Sequence, residues 1–405
     1  MWYVGIDWAD QHHDVAVIDE HGKQLDKKRV AQSAEGLEEL VEFLKGIGDI
    51  RQHADHVACI IETNKGLLIT ALLEAGLPVY PVNPKTLEKW RKPSGAKTDA
   101  IDAFLLARKG RSDLDQLRRL EPDSPLVQEL KQLTRDQDGL IQMQTRLVNQ
   151  LTACLKAYYP VALELFTKLH QAATLAFLQA YPTLEAAQAA SPEEILAVLQ
   201  TGPFPKAKAK AQAIWQQVHR PQLQADAITT RTKSRLMLAL VQQLAPVVEA
   251  VAAYDEEIAR LFLMHPDAPL FASLPGAGKR LAPRLLAEWG DDRTRYQDAG
   301  SVQALAGTSP VAFQSGNVAR AHRRYACNKV LRNAVHQFAW QSTRFEPWAL
   351  AYYQRKRQQG KTHTIAVRAL ANHWVRILFA AWTSRQLYDA AIFLAAQQAH
   401  ASRAA

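Results

Sequence analysis

The chain has 405 residues, 48% hydrophobic and 22% charged, with a net charge of +9 and a pI near 9.4; this is ordinary globular composition, long enough for two or three domains, and it excludes a disordered tail protein. No uninterrupted apolar run reaches the roughly 18–20 residues of a membrane span. The N-terminus opens as a strand where a signal peptide needs a basic and then an apolar region, so a soluble, cytoplasmic protein with no membrane partner is expected.

The first stretch, Trp2-Tyr3-Val4-Gly5-Ile6-Asp7-Trp8, reads as a buried strand that carries Asp7 at its tip. Residues 14–20 alternate as a second, half-buried strand; His21-Gly22 supplies a hairpin turn and 24–30 return. Helical spacing follows over 35–44, with Leu37, Leu40, Val41 and Leu44 on one side. Residues 56–62 form another apolar run ending in a carboxylate, Glu62. A helix over 67–75 then stops at Gly76-Leu77-Pro78, and 79–82 give a further strand. Residues 97–107 predict a helix with Asp99 and Asp102 three apart in its first turn, hence on one face. Taken singly, those two acids could equally serve the helix dipole, with Thr98 or Asp99 as cap.

Taken together, Asp7, Glu62, Asp99 and Asp102 stand at two strand ends and on one helix face in a β-β-β-α-β-α-β-α order. Ribonuclease-H-type folds use this arrangement to hold two divalent ions about 3.5–4 Å apart for phosphodiester chemistry. Carboxylate ligands suit Mg(2+), with Mn(2+) as a substitute. Asp10, Asp14 and Glu20 lie nearby as decoys. Cys59, Cys154 and Cys327 are too far apart for a zinc site or a disulfide framework.

From Leu126 the pattern changes. Leu126, Leu130, Leu133, Gln137, Leu140, Gln144, Leu147, Leu151, Cys154 and Tyr158 keep spacings of four and three, the seam of a coiled coil or helical hairpin. A second seam runs Leu240, Leu244, Val247, Val251, Tyr254, Ile258, Leu261, with Pro246 as a kink position. The two seams can pair within one chain or between chains, and a contribution to dimerisation is favoured. Between them, 160–221 read as a helical insertion; Ser191-Pro192-Glu193-Glu194 is a capping box.

The last third holds the charge. Residues 271–385 carry 18 Lys or Arg against 5 Asp or Glu, a net +13 that exceeds the excess of the whole chain. Such clustering exploits counterion release from nucleic-acid phosphates. Ser273-Leu274-Pro275-Gly276-Ala277-Gly278-Lys279-Arg280 resembles a helix-hairpin-helix clamp on a DNA backbone, with Lys279 and Arg280 as cations; a plain interhelical turn fits equally. Residues 306–317 read as a loop that exposes Ser315, followed by Arg320, His322, Arg323 and Arg324. A loop serine backed by cations has the makings of a phosphodiester nucleophile, with Ser301, Ser309 and Tyr325 as rivals. Two helices close the pattern, over 328–343 and 364–381.

Val4-Gly5-Ile6-Asp7, Ile60-Ile61-Glu62, Val82-Asn83-Pro84, Lys97-Thr98-Asp99-Ala100-Ile101-Asp102-Ala103, Leu274-Pro275-Gly276-Ala277-Gly278 and Gln314-Ser315-Gly316 stand in an order that resembles the IS110 family. These are the DEDD-type insertion-sequence transposases, described as bridge-RNA-guided recombinases. The resemblance implies a RuvC-like domain over 1–120 with Asp7, Glu62, Asp99 and Asp102 as magnesium ligands, a coiled-coil and helical middle over 121–270, a transposase domain over 271–390 and a tail over 391–405. It further implies Ser315 as the nucleophile that links covalently to DNA, and a composite site formed across protomers of a homodimer that assembles into a homotetramer. The partners it implies are donor and target DNA and a structured guide RNA, to whose pairing sequence choice is delegated. Lys279, Arg280, Arg320, Arg323, Arg324, Lys329 and Arg332 are the expected nucleic-acid contacts. Two departures from the family stand out. Tyr325-Ala326-Cys327-Asn328-Lys329 lacks the glycines that usually follow the serine, and the middle segment is longer than in compact members. A water-using Holliday-junction nuclease would need the four acids alone, and a non-catalytic nucleic-acid-binding protein would need none of them.

Overall fold

The computed structural model describes residues 1–47, 54–82, 98–201, 206–315, 318–392 and 395. It is a mixed α/β structure, mostly helical, in two compact units, Met1–Pro122 and Asp123–Ala405.

The first unit contains β1 (Trp2–Trp8), β2 (His12–Ile18), β3 (Gln24–Ala31), α1 (Ala34–Lys45), β4 (Val57–Ile61), α2 (Leu67–Glu74), β5 (Val79–Pro81) and α3 (Asp99–Asp113). The sheet order is β3-β2-β1-β4-β5; β1, β2 and β3 pair antiparallel, while β4 runs parallel to β1 and β5 parallel to β4. The second strand begins two residues earlier than the alternation predicts, because it follows the antiparallel register from Trp8↔His13 onward. Gly22, at φ +84°, makes the predicted turn, and Asp19 accepts hydrogen bonds from the backbone N–H groups of His21 and Lys23.

Strand parity divides the core in two. Val4, Ile6, Val15, Val17, Val57, Cys59 and Ile61 face α1 and α2, burying Leu40, Leu44, Leu68 and Leu72. Each such side chain contributes about 1.5–3 kcal/mol relative to exposure. Ala58 and Ile60 face the other way, against Leu105 and Leu106 of α3. The α3 helix approaches the sheet on two glycines. A Cβ on Gly5 would lie 1.9 Å from the Ala103 carbonyl oxygen, and one on Gly110 would lie 2.2 Å from Cδ1 of Ile60. The period of two therefore places Asp7, Asp14 and the position after Ile61 on the face that α3 covers.

In the second unit, α4 (Pro125–Tyr158) is followed by five short helices: α5 (Val161–Leu165), α6 (Ala172–Ala180), α7 (Leu184–Ala189), α8 (Pro192–Leu199) and α9 (Ala207–Val218). Then come α10 (Ala227–Met264), α11 (Ala268–Ala272), α12 (Gly278–Trp289), α13 (Ala299–Leu305), the hairpin β6 (Val311–Ser315) and β7 (Val318–His322), α14 (Lys329–Ser342), α15 (Pro347–Gln358) and α16 (His363–Ser384). The two long seams pair within the chain and run antiparallel. Cys154 Sγ donates to the Lys233 carbonyl 3.4 Å away, while Gln137 Nε2 donates to Asp255 at 2.8 Å. Although α10 is long and apolar enough to cross a bilayer by composition, it lies in both cores of the unit, with Leu240 and Leu244 in one and Ile258 and Leu261 in the other. The capping box at Ser191 and Glu194 forms as read.

The reading of 306–317 as a loop is corrected at 311–315, which form β6 and pair antiparallel with β7 in the register Val311↔His322 to Ser315↔Val318. The alternation there spans only five residues a side, too short to distinguish from a loop by pattern.

Candidate metal centre and nucleic-acid interface

Asp7, the penultimate residue of β1, lies on the α3 face. In the register its Cα partner on β2 is Asp14, and its neighbour on β4 follows Ile61, which pairs with Ile6. That neighbour is Glu62. Thr98 caps α3, its hydroxyl accepting from the Ile101 N–H at 3.3 Å, so the cap role does not fall to either aspartate. Asp102 is buried at 6% exposure, while Asp99 is half-exposed. The outcome is electrostatic: burial first, then the charges of Asp102, Asp99, Glu62 and Asp14, raise the Asp7 carboxyl from 3.8 to about 6. All four predicted acids thus act on one point of the structure.

Two of the three decoys separate cleanly. Asp10 is exposed in the turn after β1, and Glu20 lies beyond the far end of β2, 3.9 Å from the N-terminal amine. Asp14 belongs to the cluster. Its carboxylate, 8% exposed, accepts from Arg29 at 3.1, 3.1 and 2.7 Å, and Arg29 also stands 3.8 Å from Asp99. His12 Nε2 lies 3.8 Å from Asp99 and 4.0 Å from Asp14, buried and without a hydrogen-bond partner. Ligand atoms of His12, Asp14 and Asp99 come within 4.8 Å of one another.

The donor set fits a divalent cation. Several carboxylates converge on one face, one of them holding its proton far more tightly than usual, and an imidazole nitrogen beside them is unpartnered; a hard cation relieves that repulsion and takes such ligands. Sequence reasoning missed His12 and Arg29. The signal was the strand register: His12 stands two residues from Asp14, and Arg29 pairs with Asp14 across β2 and β3.

In the second unit, Ser315 ends β6, its backbone opposite Val318. The side chains of Ser315 and Arg320, and residues 316–317, lie outside the described ones. Among the rivals, Ser301 donates to Asp298 at 2.8 Å as part of the cap of α13, and Tyr325 is 72% exposed with Arg323 over its ring at 5.4 Å. The predicted clamp turn joins α11 to α12 with Gly276 at φ +79°, where a Cβ would lie 2.6 Å from the Phe345 ring. Lys279 is exposed at the start of α12, whereas Arg280 grips Asp255 in a bidentate pair of 2.7 and 2.6 Å.

The basic excess therefore divides. Arg284 pairs with Asp138, Arg293 with Asp267 and Arg295 with Asp123, and the buried Glu288 is held by Arg135 at 2.6 and 2.9 Å. These cations hold the fold together. Lys329 is exposed at the start of α14, and Arg332 touches only Cys327 Sγ, at 3.5 Å, among the described contacts.

Comparison with known proteins agrees with this arrangement. Residues 4–160 match a DEDD-type family described as Transposase, and residues 268–354 match the Transposase IS116/IS110/IS902 family. Over 96% of its length the chain is 32% identical to the mini-circle putative transposase for IS117 of Streptomyces coelicolor, 95% of which is covered. It is 27% identical to the 43.6 kDa protein of insertion element IS110 from the same organism, across 96% of this chain and 95% of the relative. To the 44.8 kDa protein of IS116 from Streptomyces clavuligerus it is 29% identical, across 96% of each.

Proposed function

The chain belongs to the IS110 family of insertion-sequence transposases, and from that premise we propose that it cuts and rejoins DNA through a covalent phosphoserine at Ser315, with Asp7, Glu62, Asp99 and Asp102 as ligands of Mg(2+) or Mn(2+). The observation that carries the metal half is the gathering of acids on the α3 face, with Asp7 opposite Asp14 and beside the residue after Ile61, and with ligand atoms of His12, Asp14 and Asp99 within 4.8 Å of one another. The sheet order β3-β2-β1-β4-β5 supports a ribonuclease-H-type, RuvC-like domain over residues 1–120. The helical middle (121–270) and the transposase domain (271–390) are the corresponding divisions of the rest, with 391–405 as a tail.

Each residue has a distinct task. The Ser315 hydroxyl gives up its proton and forms a bond to phosphorus, and the displaced strand oxygen leaves and takes a proton. The phosphodiester energy is thus kept in the serine ester, and the hydroxyl of a second strand can reverse the exchange. Asp7, Glu62, Asp99 and Asp102 fix the site for the cation, which supplies charge stabilisation at the exchanging oxygens when bound. Arg29 neutralises Asp14 and so keeps the acid cluster from excess repulsion. Lys279, Arg323, Arg324, Lys329 and Arg332 hold the DNA backbone.

The test is trapping on a nicked suicide substrate. A protein–DNA adduct is expected, lost in both Ser315→Ala and Asp7→Asn. Cleavage without any adduct would assign the acids to a water-using nuclease and discard the serine. Guidance by an element-encoded RNA rests on the family resemblance and on the basic last third; a discrete, nuclease-sensitive RNA should co-purify with the protein, and its absence at moderate salt removes that part of the proposal. A dimer that assembles to a tetramer, soluble and at the nucleoid, completes the reading.

A further inference from the structure

The sheet face that carries Asp7 is only partly covered by α3. Beside the acids, β2, β3 and the first two turns of α3 enclose a groove of about 450 Å³, with Asp14, Ala16, Lys27, Arg29, Ile101 and Phe104 among its walls. Strand register explains which side chains point there. Gly5 meets α3, so its partner Ala16 faces the same way, as do Asp14 opposite Asp7, Arg29 opposite Asp14 and Lys27 opposite Ala16. The small, buried Ala16 forms the floor. Arg29 and Lys27 stand two residues apart along one rim, about 6.6 Å at roughly 3.3 Å per residue. The other rim is apolar: Ile101 is 36% exposed, and Phe104 is half-buried, with the Arg108 guanidinium 6.0 Å from its ring centre. The groove opens on the acid cluster, since Asp14 lines it and Nη2 of Arg29 lies 3.8 Å from Asp99.

The two cations on the rim remain available. Lys28, whose partner Val15 faces the opposite side of the sheet, is held by Glu39 at 2.9 Å. Lys27, in contrast, is exposed and enters no ion pair among the described residues. Arg29 turns Nε and Nη2 to Asp14, while its Nη1 makes no hydrogen bond among the described residues and its side chain is 57% exposed. Asp14 thus fixes the guanidinium plane and leaves one edge free for an anion. A solvated basic edge needs no aromatic wall opposite it. Cations along one rim with an aromatic ring on the other are the elements that recognise unpaired nucleic acid, phosphates by charge and bases by stacking. The volume lies at the lower end of the roughly 300–1,000 Å³ of small-ligand clefts, room for one or two nucleotides and none for a duplex.

We propose that this groove seats a short unpaired stretch of one DNA strand where it enters the metal centre, with Lys27 and Arg29 on successive phosphates and a base or sugar against Phe104 and Ile101. DNA is the occupant because the family to which the chain belongs acts as transposases and because the groove leads to the acids. Arg29 also offsets the repulsion that those acids exert on an approaching phosphate. The proposal rests on the metal-centre reading only for where the strand leads; seating the strand requires neither cation nor serine. Its consequence is that the enzyme engages locally opened DNA at this site in preference to intact duplex.

The experiment measures binding without chemistry. Full-length protein carrying Ser315→Ala, in EDTA, is titrated by fluorescence anisotropy over a series of salt concentrations with a duplex containing a short unpaired gap, and with the same duplex fully paired. Lys27→Gln should reduce the slope of log K against log salt for the gapped DNA by roughly 0.7, the value for one phosphate of a single strand, and leave the paired duplex unaffected. Phe104→Leu keeps an apolar wall and removes the ring; it should weaken gapped DNA about fivefold or more with no change of slope. Because Lys27 is exposed, its variant should melt as the parent does, so a lost slope there reports binding and not folding. Asp7→Asn should bind gapped DNA at least as tightly as the parent. An unchanged slope in Lys27→Gln, an equal loss on the paired duplex, or a loss confined to an RNA strand of the same sequence would each overturn the groove. Absence of any adduct from the unsubstituted protein on the nicked substrate would refute the serine reading, while these slopes, taken without metal, still decide the groove.

Discussion

Replacing Asp7 by Asn should make the metal-free protein more stable and the protein as an enzyme inert. Its carboxyl is raised from 3.8 to about 6, chiefly by burial and then by Asp102, Asp99, Glu62 and Asp14. The folded state therefore binds the proton more tightly than the unfolded one. Below about pH 3.8 both states are protonated and the residue contributes no penalty; as pH rises towards 6 stability falls, and above 6 the full penalty is present. At about 1.36 kcal/mol per unit the shift corresponds to roughly 3 kcal/mol, which solvent screening of a half-exposed carboxylate reduces to about 1.5. Asp7→Asn should recover that amount at pH 7, raising Tm by roughly 5 °C, with no gain at pH 3.5. Mn(2+) at about 100 times its Kd should stabilise the native protein by about 2.7 kcal/mol, and most of that should vanish in the variant. Scanning fluorimetry of the full chain at both pH values, with and without Mn(2+), reads all four numbers. A lower metal-free Tm for Asp7→Asn at pH 7, or an undiminished response to Mn(2+), would refute the reasoning.

Other perturbations test the scaffold. Gly5→Ala places a methyl group against the backbone of Ala103 and Ala107, so α3 must move; a loss of about 3 kcal/mol or more in denaturant melts, with loss of the Mn(2+) response, is expected, and a native-like response would mean that α3 does not position Asp99 and Asp102. Arg135→Ala leaves the fully buried Glu288 carboxylate without its bidentate partner, at a cost of about 3 kcal/mol in urea unfolding; Asn328, which donates to Glu288 at 3.2 Å, should not rescue it. Gly307→Ala, strained at φ +62° and crowded by Cys327, should lower Tm by several degrees and weaken DNA binding in a filter assay.

Much of the first unit was legible from pattern. Runs of period two and period 3.6 fix which residues are strand and which are helix, so Asp7, Glu62, Asp99 and Asp102 could be picked out as acids at strand ends and on a helix face. The charge count placed the cations in the last third, and the heptads announced α4 and α10. Periodicity is local, however, and it says nothing of what lies opposite. Only the register across β1, β2 and β3 brought His12, Asp14 and Arg29 into the acid cluster, and only packing of α3 on Gly5 and Gly110 set two helix carboxylates over a strand end. Likewise, the sequence by itself determined that Arg280, Arg284, Arg332 and Arg368 are cations. Tertiary structure decided that Arg280 is spent on Asp255 and Arg284 on Asp138, while Arg332 and Arg368 have no carboxylate partner among the described residues, because the work a charge does depends on its neighbours across the fold and on how much water lies between them.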